Sequence, residues 1–261
     1  MGVRIVTLGD LLLDVVVRLD TELVRGDDQP AHTVAGPGGQ AANVAAWAAA
    51  LGAEATFVGR VGADAAGELV LRELTQRGVT HRGPIAGRTG VVVSIASSGD
   101  RTMASDRGSA PELAPHDLEP AWFDCDVLHV SGYSLFREPI ASAAEAAAGH
   151  ARAHGATVSL DVSAWTLVDD VFRARAAALA PDLVFATERE QEAVGALDTR
   201  WILKRGARGL NVDGIDHPAV DVELVDATGA GDALAAGFLV GGAELGAATA
   251  ARCCTQMGSM P

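Results

Sequence analysis

Along this chain, short apolar runs alternate with Ala-rich stretches whose apolar positions recur at helical spacing. "VRIVTLGD" (3–10) reads as a buried strand and "QAANVAAWAAALG" (40–52) as a helix stopped by Gly52. "EATFVGRVG" (54–62) is strand-like, and "DAAGELVLRELTQRG" (64–78) is an amphipathic helix ending at Gly78. The rhythm repeats in three further pairs. "DVLHVSG" (126–132) precedes "PIASAAEAAAGHARAHG" (139–155), "TVSLDVS" (157–163) precedes "VDDVFRARAAALA" (168–180), and "LVFAT" (183–187) precedes "EREQEAVGAL" (188–197). "RWILKRG" (200–206) and "AVDVELV" (219–225) add strand-like runs, the second leading into "DATGAGD" (226–232) and then the helical "ALAAGFL". Such alternation predicts an α/β fold with a mostly parallel, doubly wound sheet covered by helices on both faces.

Two stretches break the rhythm. Residues 11–39 hold strand and loop signals without a helix, and residues 87–108 read as a hairpin turning at Ser98–Gly99–Asp100. With no helices to cover them, they predict a small separate sheet, a lid over a site on the main domain. The expected organisation is one domain over 1–261, with lid segments at about 11–37 and 87–108.

Composition narrows the function. The 261 residues carry a net charge of −14, without a Lys/Arg run and with one tyrosine and six phenylalanines, which argues against nucleic-acid binding. No apolar run reaches the roughly 20 residues that span a bilayer, and the N-terminus lacks a signal-peptide pattern, so no membrane partner and a cytoplasmic location are expected. Cys125, Cys253 and Cys254 have no metal or disulfide spacing and read as buried small hydrophobes. The His150/His154 pair, i,i+4 without a following Glu, reads as a solvated helix face.

The chemistry concentrates in two Gly-rich segments. Neither is a common nucleotide motif: "GADAAGE" (62–68) has Glu68 where a Walker loop needs Lys, and "GAGDAL" has Leu234 where a dinucleotide fingerprint needs Gly. A strand, then "DATGAGD", then a helix would present backbone N–H groups to an anion. A carboxylate there competes with the anion unless it takes a proton from the hydroxyl that attacks it, which makes Asp232 a candidate base for phosphoryl transfer. The alternative is that Asp232 only caps the helix. In "GPGGQAAN" (36–43), Gly38–Gly39 permits a tight turn, and the Asn43 amide offers a donor and an acceptor to vicinal sugar hydroxyls.

Together these two segments resemble, in order and separation, the two signatures of the ribokinase-like PfkB carbohydrate kinases. The resemblance extends to "LGDLLLDVV", "FVGRVGADAAGELVLRELTQRGV", the hairpin and "ILKRGARG". It implies an ATP-dependent kinase acting on a hydroxyl of a small sugar or sugar acid of the ribose, fructose or 2-keto-3-deoxygluconate type. Asp232 would be the base, and Gly229, Ala230 and Gly231 would supply anion-hole amides. Asp14, Gly38, Gly39 and Asn43 would bind the sugar. Lys204, Gly206, Gly209 and Thr228 would neighbour the nucleotide, and Glu190 would help hold Mg²⁺ through water. A monovalent cation and a homodimer formed through the lid are further implied candidates. The chain departs from the family in "TERE" (187–190), where Thr187 stands in the usual Asn position, and in the 29 residues after Asp232, which imply an open wall at the nucleotide site. Arg101, Arg107 and Arg137 could meet a carboxylate or phosphate on the acceptor, or be surface residues and lid ion pairs. The lid segments hold no aromatic residue to stack a base, which favours a sugar over a nucleoside. A nucleoside kinase and a non-catalytic sugar or nucleotide sensor are the alternatives.

Overall fold

The computed structural model describes residues 2–97 and 100–261, so Ser98 and Gly99 of the expected hairpin turn lie outside the described residues. The chain runs β1 (Arg4–Leu8), β2 (Leu12–Arg18), β3 (His32–Gly38), α1 (Gln40–Ala50), β4 (Glu54–Val58), α2 (Ala65–Gln76), β5 (Thr80–Arg82), β6 (Thr89–Ser97) and β7 (Asp100–Gly108). It continues through β8 (Val127–Ser131), α3 (Ile140–Ala153), β9 (Thr157–Asp161), α4 (Asp170–Leu179), β10 (Leu183–Ala186) and α5 (Glu188–Val194). β11 (Arg200–Lys204), β12 (Leu210–Val212), β13 (Ile215–His217) and α6 (Ala230–Cys254) complete it.

The main sheet has the order β13-β12-β11-β10-β9-β8-β1-β4-β5. From β11 to β5 every pairing is parallel, and only the β12 and β13 pairings are antiparallel. Alternate residues of each strand feed opposite cores, the expected result of a sheet covered on both faces. Ile5, Phe185 and Ile202 join Trp47 of α1 and the Ala-rich start of α6. Val6, Leu8, Val184 and Ala186 join Phe172 of α4 and the alanines of α3.

The two helix-free stretches form their own sheet in the order β3-β2-β6-β7. Its foot is fixed by Asp64, the N-cap of α2. That carboxylate accepts from Gly67 N–H (2.8 Å), Thr89 N–H (2.8 Å) and Thr89 O–H (2.6 Å), tying helix start to lid strand.

Three sequence expectations change. Residues 219–225 are not a strand: Val220 and Leu224 are exposed and the segment has no ladder partner among the described residues. Alternating apolar residues make a strand only where a neighbour offers free backbone groups, and here the β12–β13 hairpin forms the edge instead. The apolar run after Asp232 belongs to a helix of 25 residues, interrupted at Gly241 (φ −154°) and Gly242 (φ 83°). That helix is long and apolar enough to cross a membrane by length and composition, but the break leaves two arms, each short of the roughly 20 residues a span requires. Finally, His150 is not fully solvated, because its ring stacks on Phe123 at 5.8 Å.

Candidate active site

Chain order reverses about β1: one branch leads outward through β4 to β5, the other through β8, β9 and β10 to β11. Open α/β sheets bind ligands at such a switch point, outside the carboxyl ends of the strands. The titratable residues of interest collect there. Asp10 follows β1, Asp161 ends β9, Lys204 ends β11 and Glu190 lies in the first turn of α5, just beyond β10.

Asp232 sits in the first turn of α6, and its Oδ2 accepts from Asn43 Nδ2 at 2.7 Å across 189 residues of sequence. The other end of the amide is also engaged, since Asn43 Oδ1 accepts from Ser259 O–H at 3.0 Å. Asn43 therefore holds the carboxylate and keeps one amide hydrogen for a ligand, rather than offering both ends to a sugar. Burial pushes the Asp232 carboxyl up to about 7. The Asn43 bond and Lys204 oppose the shift, while Asp161 and Asp10 add to it.

The turn before α6 is fixed by side chains the motif does not name. Gly229 takes φ 76°, and a Cβ there would meet the Ser259 backbone at 2.7 Å, so the position combines a left-handed turn with close packing. Thr228 donates from its N–H (2.9 Å) and O–H (2.5 Å) to Asp226 Oδ1, while Asp226 Oδ2 accepts from Gly258 N–H (3.1 Å). Ala230 N–H points to Ala227 O at 3.2 Å and is not free for an anion in this conformation. Gly231 and Asp232 carry the second and third helix amides, positions without an intrahelical partner.

Lys204 approaches the same turn: a Cβ on Gly231 would lie 3.6 Å from its Nζ. The ammonium is paired to both Asp161 oxygens, at 2.9 and 2.7 Å. Burial works against its charge, but Asp161, Glu190 and Asp232 outweigh that and hold its pKa above the ordinary value. Glu190 is buried and forms a capping box with Thr187, its Oε2 accepting from Thr187 N–H at 2.6 Å. Gly206 and Gly209 bound the turn after β11, both at positive φ.

On the lid side, a Cβ on Gly38 would overlap the Asp14 carboxylate, so the glycine makes room for it. Gly39 caps α1 at φ 104°, which places Asn43 one turn into the helix. Arg107 of β7 forms an ion pair with buried Asp10, and its guanidinium lies 3.7 Å over the Tyr133 ring. Around them is a cavity of about 440 Å³ between lid and core, with Arg137 and Phe136 also in its wall. The side chain of Arg101 lies outside the described part of the chain. Sequence reasoning missed Asp10, Asp161, Tyr133 and Ser259. A carboxylate just past a buried strand was a usable signal for the first two, whereas nothing local marks Tyr133 or Ser259.

A protein-family model described as pfkB family carbohydrate kinase matches residues 4–205. The chain belongs to this family. It is 33% identical over 258 residues to an ATP-dependent ribose-1-phosphate kinase of Halopiger xanaduensis, covering 91% of this chain and 84% of that protein. A fructokinase of Klebsiella pneumoniae is also 33% identical, covering 92% of this chain and 85% of its own length. An adenosine kinase structure from Sinorhizobium meliloti superposes with a TM-score of 0.87 at 26% identity, covering 100% of this chain and 96% of that one. As a PfkB kinase the protein is a phosphotransferase with an alcohol acceptor, of an ATP-dependent family that acts on sugars or nucleosides.

Proposed function

We propose that this PfkB kinase transfers the γ-phosphoryl group of ATP to a hydroxyl of a small sugar or sugar acid, with Asp232 as the base. The observation that carries this is the Asp232 carboxyl at a helix start, pushed up to about 7 by burial, with Asp10 of the lid-covered cavity's wall among the charges that raise it. A base with a pKa near the working pH suits proton removal from an alcohol. Asp232 takes the hydroxyl proton as that oxygen bonds to the γ-phosphorus, and the bond to the β,γ-bridging oxygen breaks to release ADP. The Gly229–Gly231 turn, chiefly the Gly231 amide, and the Lys204 ammonium offset charge on the transferring group. Asp14, Gly38, Gly39 and Asn43 hold the acceptor. Gly206, Gly209 and Thr228 border the nucleotide.

Among the described residues, no group of three His, Cys, Asp or Glu side chains could hold a metal ion by itself. Mg²⁺ keeps several waters and binds through phosphates with one or two carboxylates, so this donor set fits it. Glu190 would hold it through water, and it would neutralise charge on the phosphates. A homodimer through the lid belongs to the same reading: β3 and β7 are the edges of the lid sheet and expose Val34 and Met103.

A nucleoside acceptor is the second reading, and Tyr133 and Phe136 favour it, since the core supplies the aromatic rings that the lid lacks. ADP formation across pentoses, hexoses, keto-sugar acids and nucleosides separates the two. Turnover with nucleosides alone would overturn the sugar reading, and tight binding without turnover on any acceptor would leave a sensor.

A further inference from the structure

The cavity between lid and core holds more than a monosaccharide needs. At about 440 Å³ it falls in the range that encloses a drug-sized ligand. Asp10 and Ser134 line its wall, and Asp10 Oδ1 and Ser134 Oγ are buried with no hydrogen-bond partner among the described residues. Buried polar groups are rarely left unpaired, so a ligand rich in hydroxyls belongs against them. Asp10 and Asp232 sense each other electrostatically, which puts this wall near the reacting carboxylate.

The remaining wall tells what else the acceptor carries. Arg107 is neutralised by Asp10, but Arg137, exposed at the same cavity, has no ion pair or side-chain hydrogen bond among the described residues. The cavity therefore keeps one unpaired positive side chain in a protein of net charge −14. A flat base is left only the second face of either aromatic ring in the wall. The Arg107 guanidinium covers one face of Tyr133 at 3.7 Å, and Phe136 is stacked on Phe172 at 4.8 Å.

Resting on the kinase reading above, we infer that the acceptor is a sugar already bearing an anionic group, a phosphate or a carboxylate. Its hydroxyls face Asp10 and Ser134, and its anionic end is held by Arg137 beside the Arg107–Asp10 pair. A guanidinium suits either anion because its fork matches two oxygens at once.

The test compares kcat/KM for ribose 1-phosphate, fructose 6-phosphate and 2-keto-3-deoxygluconate with that for ribose, fructose and adenosine, in the wild type and in Arg137→Ala and Arg137→Lys. The wild type should prefer an anionic acceptor over its neutral counterpart by at least about tenfold, the scale of a charge-assisted hydrogen bond. Arg137→Ala should abolish most of that preference and Arg137→Lys should keep part of it. Preference for the two phosphates, or for the keto acid, identifies the anion. A wild type that favours ribose, fructose or adenosine overturns the inference while leaving the kinase reading intact, as does an Arg137→Ala enzyme with unchanged selectivity. If no acceptor is phosphorylated, the kinase reading fails separately. Calorimetric binding of the same six compounds then decides, and equal binding of charged and neutral sugars overturns the anion site.

Discussion

Burial raises the Asp232 carboxyl to about 7, and a base must lose its own proton before it can take another. At saturating substrates kcat should therefore climb with pH through about 7 and level off above it, as read from a pH–rate profile. Asp232→Asn keeps the shape and the Asn43 contact but removes the proposed base. It should lower kcat by about 10²–10⁴-fold while ATP binding, measured by calorimetry, is largely retained. A fall below tenfold would reduce the carboxylate to a helix cap. The same group bears on stability. Its folded pKa lies above the ordinary value of 3.8, so its contribution is present below that pH and is lost as pH rises through about 7. The Asn variant should accordingly melt higher than wild type at pH 8 and no higher at pH 4, with ~1 kcal/mol worth about 2–4 °C in a domain of this size. Asp232 was legible in the sequence because glycines and a carboxylate share one short turn. What Asn43 does with it was not, since no local pattern reports a partner 189 residues away.

At the scale of elements, the segment after α6 acts as a strut. Trp47 N–H donates to Ser259 O at 2.9 Å, Ser259 O–H donates to Asn43, and Gly229 packs on the Ser259 backbone. Ser259 thus fixes which end of the Asn43 amide faces Asp232. Ser259→Ala should lower kcat by roughly 10–100-fold, since misplacing a reacting group by ~1 Å costs up to ~10². Because the Asn43 bond favours the charged carboxylate, the acid limb of the pH–rate profile should also move upward. Ser259→Thr should restore the profile, and a variant that loses stability without that shift would mark Ser259 as packing only. Element types were readable wherever the apolar period was supported by a neighbour: β1, β8, β9 and β10 all sit inside the parallel sheet. Period alone misled at 219–225, where Val220, Val222 and Leu224 alternate as in a strand but have no strand partner among the described residues.

For the whole molecule, lid and core meet through the Arg107–Asp10 pair and Asp64 at the foot of β6. A closed lid keeps water from the phosphoryl group. Arg107→Ala should raise ADP formation relative to acceptor phosphorylated, a ratio read by assaying both products in one reaction, and an unchanged ratio would mean that the pair does not hold the lid. The lid itself was visible as two β segments without helices. Its attachment was not, because Asp10 and Arg107 lie 97 residues apart. The strut has a consequence for how the chain acquires its activity. The Asn43–Ser259 and Trp47–Ser259 bonds span 216 and 212 residues, and closing loops of that length costs more chain entropy than pairing neighbouring βα units. The parallel sheet can assemble from neighbouring βα units while the far segment is still searching for its place. On the proposed reading, the base is oriented only once these two bonds have closed, so a chain with an assembled sheet but an undocked far segment should bind ATP without spending it.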